Sequence, residues 1–427
     1  MRRMKRRNEI FIVIILIAAV IISLALYNSY AYLNQERLKE LITKEISEIN
    51  NYLRDNLTII RTPSDIESIY LVELLKQNIQ LIDNIDRIIN GYSGNNEVID
   101  RFSKVKATIL SMDAAKLSQR DERMLINSIW ELGYILGYIQ AETNSISYND
   151  IELQINQVRI KLSDTYVKYI SKQKLQIDHN KASNITTLLM DHIFAVQTII
   201  DGELYQANRL VNQTMELIHM EGRPYANKIG MAISTIKAIQ TIILKINIIM
   251  NHYDNFYSSQ STSTIYNRLL LKLNTAELRD IPSESFANLT LQEANNYIKL
   301  AKDEAQYKLY TQAIIDLIIA DILYKSMNNL RYIPDPFTKT VNVDISNIIE
   351  MKNRIIYNIE KIERDIKIDR LVLSKLLFYP ISDIHFVQTL IERRIKVNMI
   401  DNEALTYLYA FYARAAVYLA NLNKNFG

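Results

Sequence analysis

Hydrophobic residues recur at three- and four-residue intervals along most of the chain, which is the spacing of one face of an α-helix. Beyond residue 62 this pattern predicts a succession of helices separated by short polar segments. The predicted helices cover residues 66–90, 97–117, 121–142, 150–176, 182–219, 225–256, 345–376, 382–397 and 402–423, with two more between residues 264 and 328. Polar segments at residues 258–264 and 281–285 are candidate boundaries between two lobes, predicted at residues 63–280 and 281–427.

The N-terminus predicts a membrane anchor. Residues 10–33 form an apolar segment, which includes Ile10, Phe11, Ile15, Val20 and Leu26. As a helix it is long enough to cross roughly 30 Å of hydrocarbon. The preceding tail, residues 1–9, contains five basic residues: Arg2, Arg3, Lys5, Arg6 and Arg7. Positive charge stays on the cytoplasmic side, so we expect a single-pass protein of the cell membrane with its body outside the cytoplasm.

Two alternatives to a retained anchor are open. A small residue at positions 29 and 31 offers a signal-peptide cleavage site, although the apolar run exceeds the usual length of such a segment. The run could also be a buried helix of a soluble protein.

Residues 34–62 predict a helical neck. Its apolar positions form a narrow seam between charged residues, beginning at Leu38 and ending at Leu53. Such a seam is typical of a stalk or a coiled-coil strand. Packing of the seam against the body of the same chain is the alternative.

Composition favours helices over a sheet. The chain of 427 residues has 8 Gly and 6 Pro, where average usage of roughly 12% for the two together would give about 50. A many-stranded sheet needs turns at short intervals, and turns need these residues. We therefore predict an all-α fold, with a large multi-helix bundle or helical-hairpin array after the single transmembrane helix.

Charge and cysteine content restrict the partners. The net charge is +3, of which the first seven residues supply +5, so the remainder carries −2. A near-neutral body predicts no nucleic-acid partner, whereas the basic tail suits anionic lipid at the cytoplasmic leaflet. The chain has no cysteine, which excludes disulfides and thiolate chemistry.

No linear motif for catalysis, a metal or a cofactor is present. The five histidines form no i,i+4 pair, and neither a Gly-rich phosphate loop nor a Gly-x-Ser-x-Gly sequence occurs. We interpret Asp191-His192 and His252-Tyr253-Asp254 as capping or solvent-facing pairs. The sequence therefore predicts no catalytic, cofactor-binding or metal-binding residue and no cofactor.

Three further features lead to specific expectations. Gly133 and Gly137 predict a close approach of two helices. Asp316 and Asp321, which interrupt an apolar run, predict a solvated stripe, with Asp321 paired to Lys325. Four sequons, at Asn56, Asn184, Asn212 and Asn288, are possible glycosylation sites of an extracytoplasmic body.

One short segment resembles a tetratricopeptide unit. Residues 293–308 and a second helix with Tyr310, Ala313 and Ala320 have the spacing of its paired helices. The Trp-Leu-Gly pattern of the repeat is missing, and the match covers less than a tenth of the chain. The resemblance implies a helical hairpin there and does not assign the chain to the family.

The C-terminal helix is apolar nearly all round from Ala404 to Leu422. That pattern predicts burial in a large core. A second membrane crossing is the alternative, but Arg414 lies near its centre, where insertion would cost roughly 2.5–3.5 kcal/mol.

These observations favour a non-enzymatic function. We expect a membrane-anchored extracytoplasmic scaffold or interaction protein, bound to lipid by its anchor and to a protein partner at the cell surface. Two alternatives are an all-α enzyme whose residues converge only in three dimensions and a sensor-like ligand-binding domain. A deep cleft lined by convergent Asp, Glu or His residues would favour the enzyme.

Overall fold

The computed structural model describes residues 35–427 except residues 58, 221, 223, 276–280 and 397–400. The predicted tail, residues 1–9, and the predicted anchor, residues 10–33, lie outside the described residues. Almost all regular structure in the described part of the chain is helical. The all-α prediction is confirmed.

The helices follow one another through short connections. They are α1 at 35–56, α2 Glu67–Ile89, α3 Asn96–Leu110, α4 Gln119–Glu142, α5 Tyr148–Ser171, α6 His179–Ser183, α7 Ile185–Leu189, α8 His192–His219, α9 Tyr225–His252, α10 Ser259–Asn274, α11 Phe286–Gln306, α12 Tyr310–Leu330, α13 Ile345–Asp365, α14 Arg370–Lys396 and α15 Asn402–Phe426. Two short strands, β1 Gln173–Leu175 and β2 Phe256–Tyr257, pair in parallel.

Helix α9 lies at the centre of the bundle, in contact with α2, α4, α5 and α8. Among the described residues it alone is long and apolar enough to cross a membrane, and 72% of its most apolar window is buried inside the protein. Buried apolar side chains form a continuous cluster from Ile42 to Leu422. The division into lobes at residue 280 stays a prediction.

Helices α4 and α9 approach each other closely. A Cβ atom on Gly133 would lie 2.8 Å from Ser234 Cα, and one on Gly137 would lie 2.8 Å from the carbonyl oxygen of Ile229. Gly230 faces back across the same contact, where a Cβ would lie 2.9 Å from the carbonyl oxygen of Tyr134. The prediction of close helix packing from Gly133 and Gly137 is confirmed.

Gly137→Ala should lower the free energy of unfolding. Overpacking against a backbone carbonyl costs about 1–3 kcal/mol, which outweighs the gain of up to about 1 kcal/mol in helix propensity. Gly91→Ala is the matched control, because a Cβ there meets its nearest atom at 3.9 Å. Urea unfolding of both variants tests this, and equal midpoints for Gly137→Ala and wild type would refute the packing argument.

The apolar seam of α1 packs against the body. Ile42, Ile46 and Ile49 are buried, and Lys352 on α13 hydrogen-bonds to the carboxylates of Glu45 and Glu48 on α1. The segment is therefore packed against the body of the same chain, which was the alternative to a stalk or coiled-coil strand.

The predicted polar loop at residues 258–264 is wrong. Ser258 caps α10, and its hydroxyl oxygen accepts a hydrogen bond from the backbone N–H of Ser261 at 3.3 Å. Thr262 and Thr264 lie inside the helix, where their hydroxyls donate to carbonyl oxygens four residues earlier. Ser and Thr satisfy their hydroxyls within the helix in this way, so a polar run is compatible with helix.

The predicted break between residues 376 and 382 is also wrong, because α14 continues through Pro380. Proline has no N–H, so the carbonyl oxygen four residues earlier loses its helical partner. That oxygen belongs to Leu376, and the hydroxyl of Tyr418 on α15 donates to it at 3.1 Å. A tertiary hydrogen bond replaces the missing helical one.

The C-terminal helix α15 is buried, as its composition predicted. Arg414 is 5% exposed, and its guanidinium binds both carboxylate oxygens of Asp383 on α14, at 2.6 and 2.7 Å. The aromatic rings of Phe286 and Phe411 lie 4.9 Å from its guanidinium carbon. An arginine at the centre of an apolar helix is thus neutralised inside the core.

Candidate functional site

A cavity of about 410 Å³ lies between α2, α4, α8, α9, α11, α12, α14 and the segment at residues 59–61. Its wall is largely apolar, with aromatic side chains from Tyr70, Trp130 and Phe378. Six charged residues also line it: Arg61, Glu122, Glu203, Lys245, Glu304 and Lys375. They come from different elements, and tertiary packing alone brings them together.

Lys245 stands at one side of the cavity between two glutamates. Its Nζ lies 3.1 Å from Glu122 Oε1 and 3.0 Å from Glu203 Oε1. The ring of Tyr70 lies 5.2 Å from the same ammonium. The hydroxyl of Thr62 donates to Glu122 at 3.1 Å.

The burial of Lys245 follows from its place in the sequence. It interrupts a run of Ile and Leu in α9, which is covered by neighbouring helices on most sides, and its side chain is 3% exposed. Burial acts to lower the pKa of Lys245, but the charges of Glu203 and Glu122 outweigh it, so the pKa is raised. The ammonium is therefore held charged within the core.

Lys375 on α14 is the second lysine that lines the cavity. Its ammonium donates to the carbonyl oxygen of Thr198 at 2.9 Å and to the side-chain oxygen of Gln312. The absence of a side chain at Gly202 leaves room, since a Cβ there would lie 3.0 Å from Lys375 Nζ. Burial lowers the pKa of Lys375, although Asp316 and Glu304 act in the opposite direction.

Two buried carboxyl groups lie beside Lys375. Glu304 is on α11 and Asp316 is on α12, and they are 2% and 3% exposed. Burial and the neighbouring charge of Asp316 raise the pKa of Glu304. Glu304 Oε2 and Asp316 Oδ2 have no hydrogen-bond partner in the described structure. A single proton shared between the two groups accounts for both observations.

Asp201 on α8 is a third buried carboxyl group, and its charge acts on Glu304. It accepts hydrogen bonds from the Tyr169 hydroxyl at 2.6 Å and from the Thr311 hydroxyl at 2.6 Å. Burial raises the pKa of Asp201 to about 6, against these hydrogen bonds.

Replacing Glu304 by glutamine should change how stability depends on pH. An acid with a raised folded-state pKa loses its proton more readily in the unfolded chain. The wild type therefore loses stability as the pH rises above 4.5, the ordinary pKa of glutamate. The loss is up to about 1.4 kcal/mol per pH unit. Glutamine keeps a donor for Asp316 but carries no titratable proton, so the advantage of the variant should grow with pH.

Denaturant unfolding from about pH 5 to about pH 8 measures this difference. Glu284→Gln, at an exposed position, is the matched control. If the wild-type and Glu304→Gln curves stay parallel across this range, Glu304 does not hold a proton in the folded protein.

The predicted solvent exposure of Asp316 is wrong, whereas the predicted pairing of Asp321 with Lys325 is confirmed. Asp316 lies on the buried side of α12, where Gln312 donates to it at 3.2 Å. Asp321 pairs with Lys325 at 2.8 Å and lies 3.5 Å from Lys272. The two positions are five residues apart, which places them on different faces of a helix.

The histidines of Asp191-His192 and His252-Tyr253-Asp254 do not pair with the acidic residues beside them in the sequence. Asp191 caps α8 and binds Lys181, as a capping residue would. His192 instead contacts Asp369 at 2.8 Å and the Tyr253 hydroxyl at 3.0 Å, while His252 lies 2.9 Å from Asp65. No metal-binding group of His, Asp and Glu is found in the part of the chain that the structure describes.

The sequons lie at the surface. Asn56, Asn184 and Asn212 are exposed, and Asn288 is half-buried in the first turn of α11. Their modification stays a prediction. The basic residues of the tail and the anchor residues lie outside the described residues.

Sequence reasoning did not identify the residues of the cavity. Glu122, Glu203, Lys245 and Lys375 belong to no motif and lie far apart in the chain. One signal in the sequence could have indicated the cavity, namely the position of Lys245 inside an apolar run. A lysine in such a run is buried with the helix and therefore needs a partner of opposite charge.

No protein-family model, curated protein or solved structure is similar to this chain at a significant level. The resemblance to a tetratricopeptide unit extends to one feature of the structure, the packing of α11 against α12. Any function must therefore be inferred from the site itself.

Proposed function

We propose that this chain is a membrane-anchored, extracytoplasmic, non-enzymatic binding protein whose helical body takes a small polar ligand into the central cavity. The convergence of six charged residues on one cavity carries the proposal. The proposal keeps the expected non-enzymatic membrane protein and adds ligand binding, which the sequence left as an alternative. A purely structural helical bundle does not need such a cavity.

Stability does not explain this arrangement. Replacing a buried ion pair by well-packed apolar residues is often neutral or stabilising by about 1–4 kcal/mol. The chain nevertheless places Lys245 with two glutamates, and Lys375 with a carboxyl pair, around empty space. Ionisable groups that converge on an apolar pocket are typical of a binding site.

The charges of the cavity indicate the class of ligand. Three basic residues, Arg61, Lys245 and Lys375, face Glu122, Glu203 and the pair of Glu304 and Asp316, which carries one negative charge when it shares a proton. The formal charges cancel, which favours a zwitterionic or neutral polar molecule over a polyanion or a metal ion. Glu203, with 19% of its side chain exposed, is the acid best placed to meet a ligand ammonium group.

A thermal-shift measurement on the full chain in detergent tests the proposal. The probes are amino acids and betaines, which are small and zwitterionic. A ligand at about 100 times its Kd should stabilise the protein by about 2.7 kcal/mol. Glu203→Gln should reduce the shift, whereas Glu216→Gln, at an exposed position of the same helix, should not. Equal shifts in both variants would place the ligand elsewhere.

The proposed location rests on residues 1–33. We propose that the helix at 10–33 is retained as the anchor, with the tail in the cytoplasm and the lobes at 63–280 and 281–427 outside. A protease added to intact cells should cut the body and leave the tail intact. A digested tail with a protected body would reverse the orientation.

An all-α enzyme is the second candidate, favoured by Lys375. An amine with a lowered pKa, beside a carboxyl pair that holds a proton, could serve in proton transfer. An amine-reactive label applied over a pH series, with the lysines read out by mass spectrometry, discriminates the two. Labelling of Lys375 at lower pH than Lys104, which is exposed, would favour the enzyme.

A further inference from the structure

A second and larger depression adjoins the mouth of the cavity. This groove has a volume of about 960 Å³ and lies between α4, α14 and the end of α1 with the segment that follows it. Ile59, Arg61, Ile126 and Phe378 line both spaces. Arg61 lies over the ring of Phe378, with its guanidinium carbon 6.0 Å from the ring centre.

The charged lining of the groove has a single sign. Five arginines and one histidine line it: Arg54, Arg61, Arg120, Arg123, Arg393 and His385. No aspartate or glutamate is among the described lining residues. Asp55 neutralises Arg54 at 3.0 Å. The other four arginines have no carboxylate within ion-pair distance in the described part of the chain.

This concentration of charge is unusual for the chain. The remainder after the N-terminal tail carries a net charge of −2, so the groove is a local positive region on a near-neutral body. Unpaired arginines that converge on a concave surface attract an anionic partner, and the planar guanidinium matches the geometry of a carboxylate.

The apolar lining favours a peptide over a nucleic acid. Seven apolar residues line the groove: Leu57, Ile59, Ile126, Phe378, Ile381, Phe386 and Leu390. Five are aliphatic, whereas a single-stranded nucleic acid needs aromatic platforms for its bases. Phe378 and Phe386 are each about half exposed, which is typical of interface anchors. The basic N-terminal tail of this chain has the wrong charge to occupy the groove.

We propose that the groove between α4 and α14 binds an acidic segment of a partner protein in which carboxylate side chains alternate with apolar ones. The arginines bind the carboxylates, and the Ile, Leu and Phe side chains contact the apolar residues of the segment. This proposal goes beyond ligand binding in the cavity, because a different set of residues carries it.

Fluorescence anisotropy of the full chain in a neutral detergent tests the proposal. The probe is a short labelled peptide of alternating Glu and Leu. Two control peptides carry Gln in place of Glu or Ser in place of Leu. The Glu-Leu peptide should bind most tightly, and added salt should weaken it. Equal binding of the Glu-Leu and Gln-Leu peptides, or of the Glu-Leu and Glu-Ser peptides, would overturn the proposal.

Charge reversal locates the binding site. Arg120→Glu with Arg123→Glu should weaken binding of the Glu-Leu peptide by at least about tenfold. Arg159→Glu with Arg268→Glu, two exposed arginines outside the groove, makes the same change in net charge and should have little effect. Because these positions are exposed, the variants should fold, and circular dichroism checks this. Equal losses in both double variants would refute the proposal.

Two further measurements separate the alternatives. If short single-stranded DNA binds more tightly than the Glu-Leu peptide and responds to the same variants, the groove is a nucleic-acid site and the proposal is wrong. Glu203→Gln should leave peptide binding unchanged. The peptide result and the thermal-shift result therefore succeed or fail separately.

Discussion

Arg414→Met should lower the free energy of unfolding by about 3–5 kcal/mol, because it leaves the carboxylate of Asp383 buried without its counter-charge. Asp383 receives two hydrogen bonds from Arg414, and both side chains lie in the interface between α14 and α15. The substitution also removes the cation that lies against the rings of Phe286 and Phe411. Denaturant unfolding measures the loss.

A double variant separates the charge effect from lost packing. Arg414→Met combined with Asp383→Leu removes both charges, and it should recover much of the stability. Arg354→Met is the matched control, since Arg354 forms an exposed pair with Glu350 within α13, and such pairs contribute at most about 1 kcal/mol. Equal losses for Arg414→Met and Arg354→Met would show that α15 is not a core element.

Lys245→Met should have an effect of similar size, about 3–5 kcal/mol, because it leaves Glu122 and Glu203 facing each other without a cation. The side chain of Glu122 is 2% exposed, so its carboxylate is poorly hydrated without the ammonium. Protonation would relieve the repulsion in the variant. The deficit of the variant should therefore shrink as the pH falls toward about 4.

Lys237→Met on the same helix is the control. Lys237 is half-buried, burial lowers its pKa, and Gln240 is its hydrogen-bond partner rather than a carboxylate. Its replacement should be neutral or slightly stabilising. If Lys245→Met shows no greater loss than Lys237→Met, or if its deficit is independent of pH, the ion pairs of the cavity are not formed in solution.

Arg414→Met and Lys245→Met differ in their expected effects on binding. Arg414 and Asp383 lie outside the lining of the cavity and of the groove, so their variant should affect ligand and peptide binding only through folding. Lys245 lines the cavity, so its variant should also lose the stabilisation by zwitterionic ligands. The pair of variants therefore distinguishes a general loss of stability from damage to the site.

The sequence by itself determined the fold class and most helix positions. Scarcity of Gly and Pro excludes frequent turns, and apolar periodicity is a local property that any single helix displays. The burial of α15 followed from apolar residues on all its sides, and Gly133 and Gly137 predicted that α4 approaches another helix closely. These predictions needed no knowledge of which helix lies beside which.

The tertiary structure alone decided what depends on a neighbour. Pro380 stays inside a helix because Tyr418, on another helix, donates to the freed carbonyl of Leu376. Asp316 is buried because α11 packs against α12 and brings Glu304 beside it. The cavity combines Glu122, Glu203, Lys245 and Lys375 from four helices, and no local sequence pattern predicts that these residues lie close together. A charged residue in an apolar run shows that a partner must exist, but only the packing of the helices determines which residue it is.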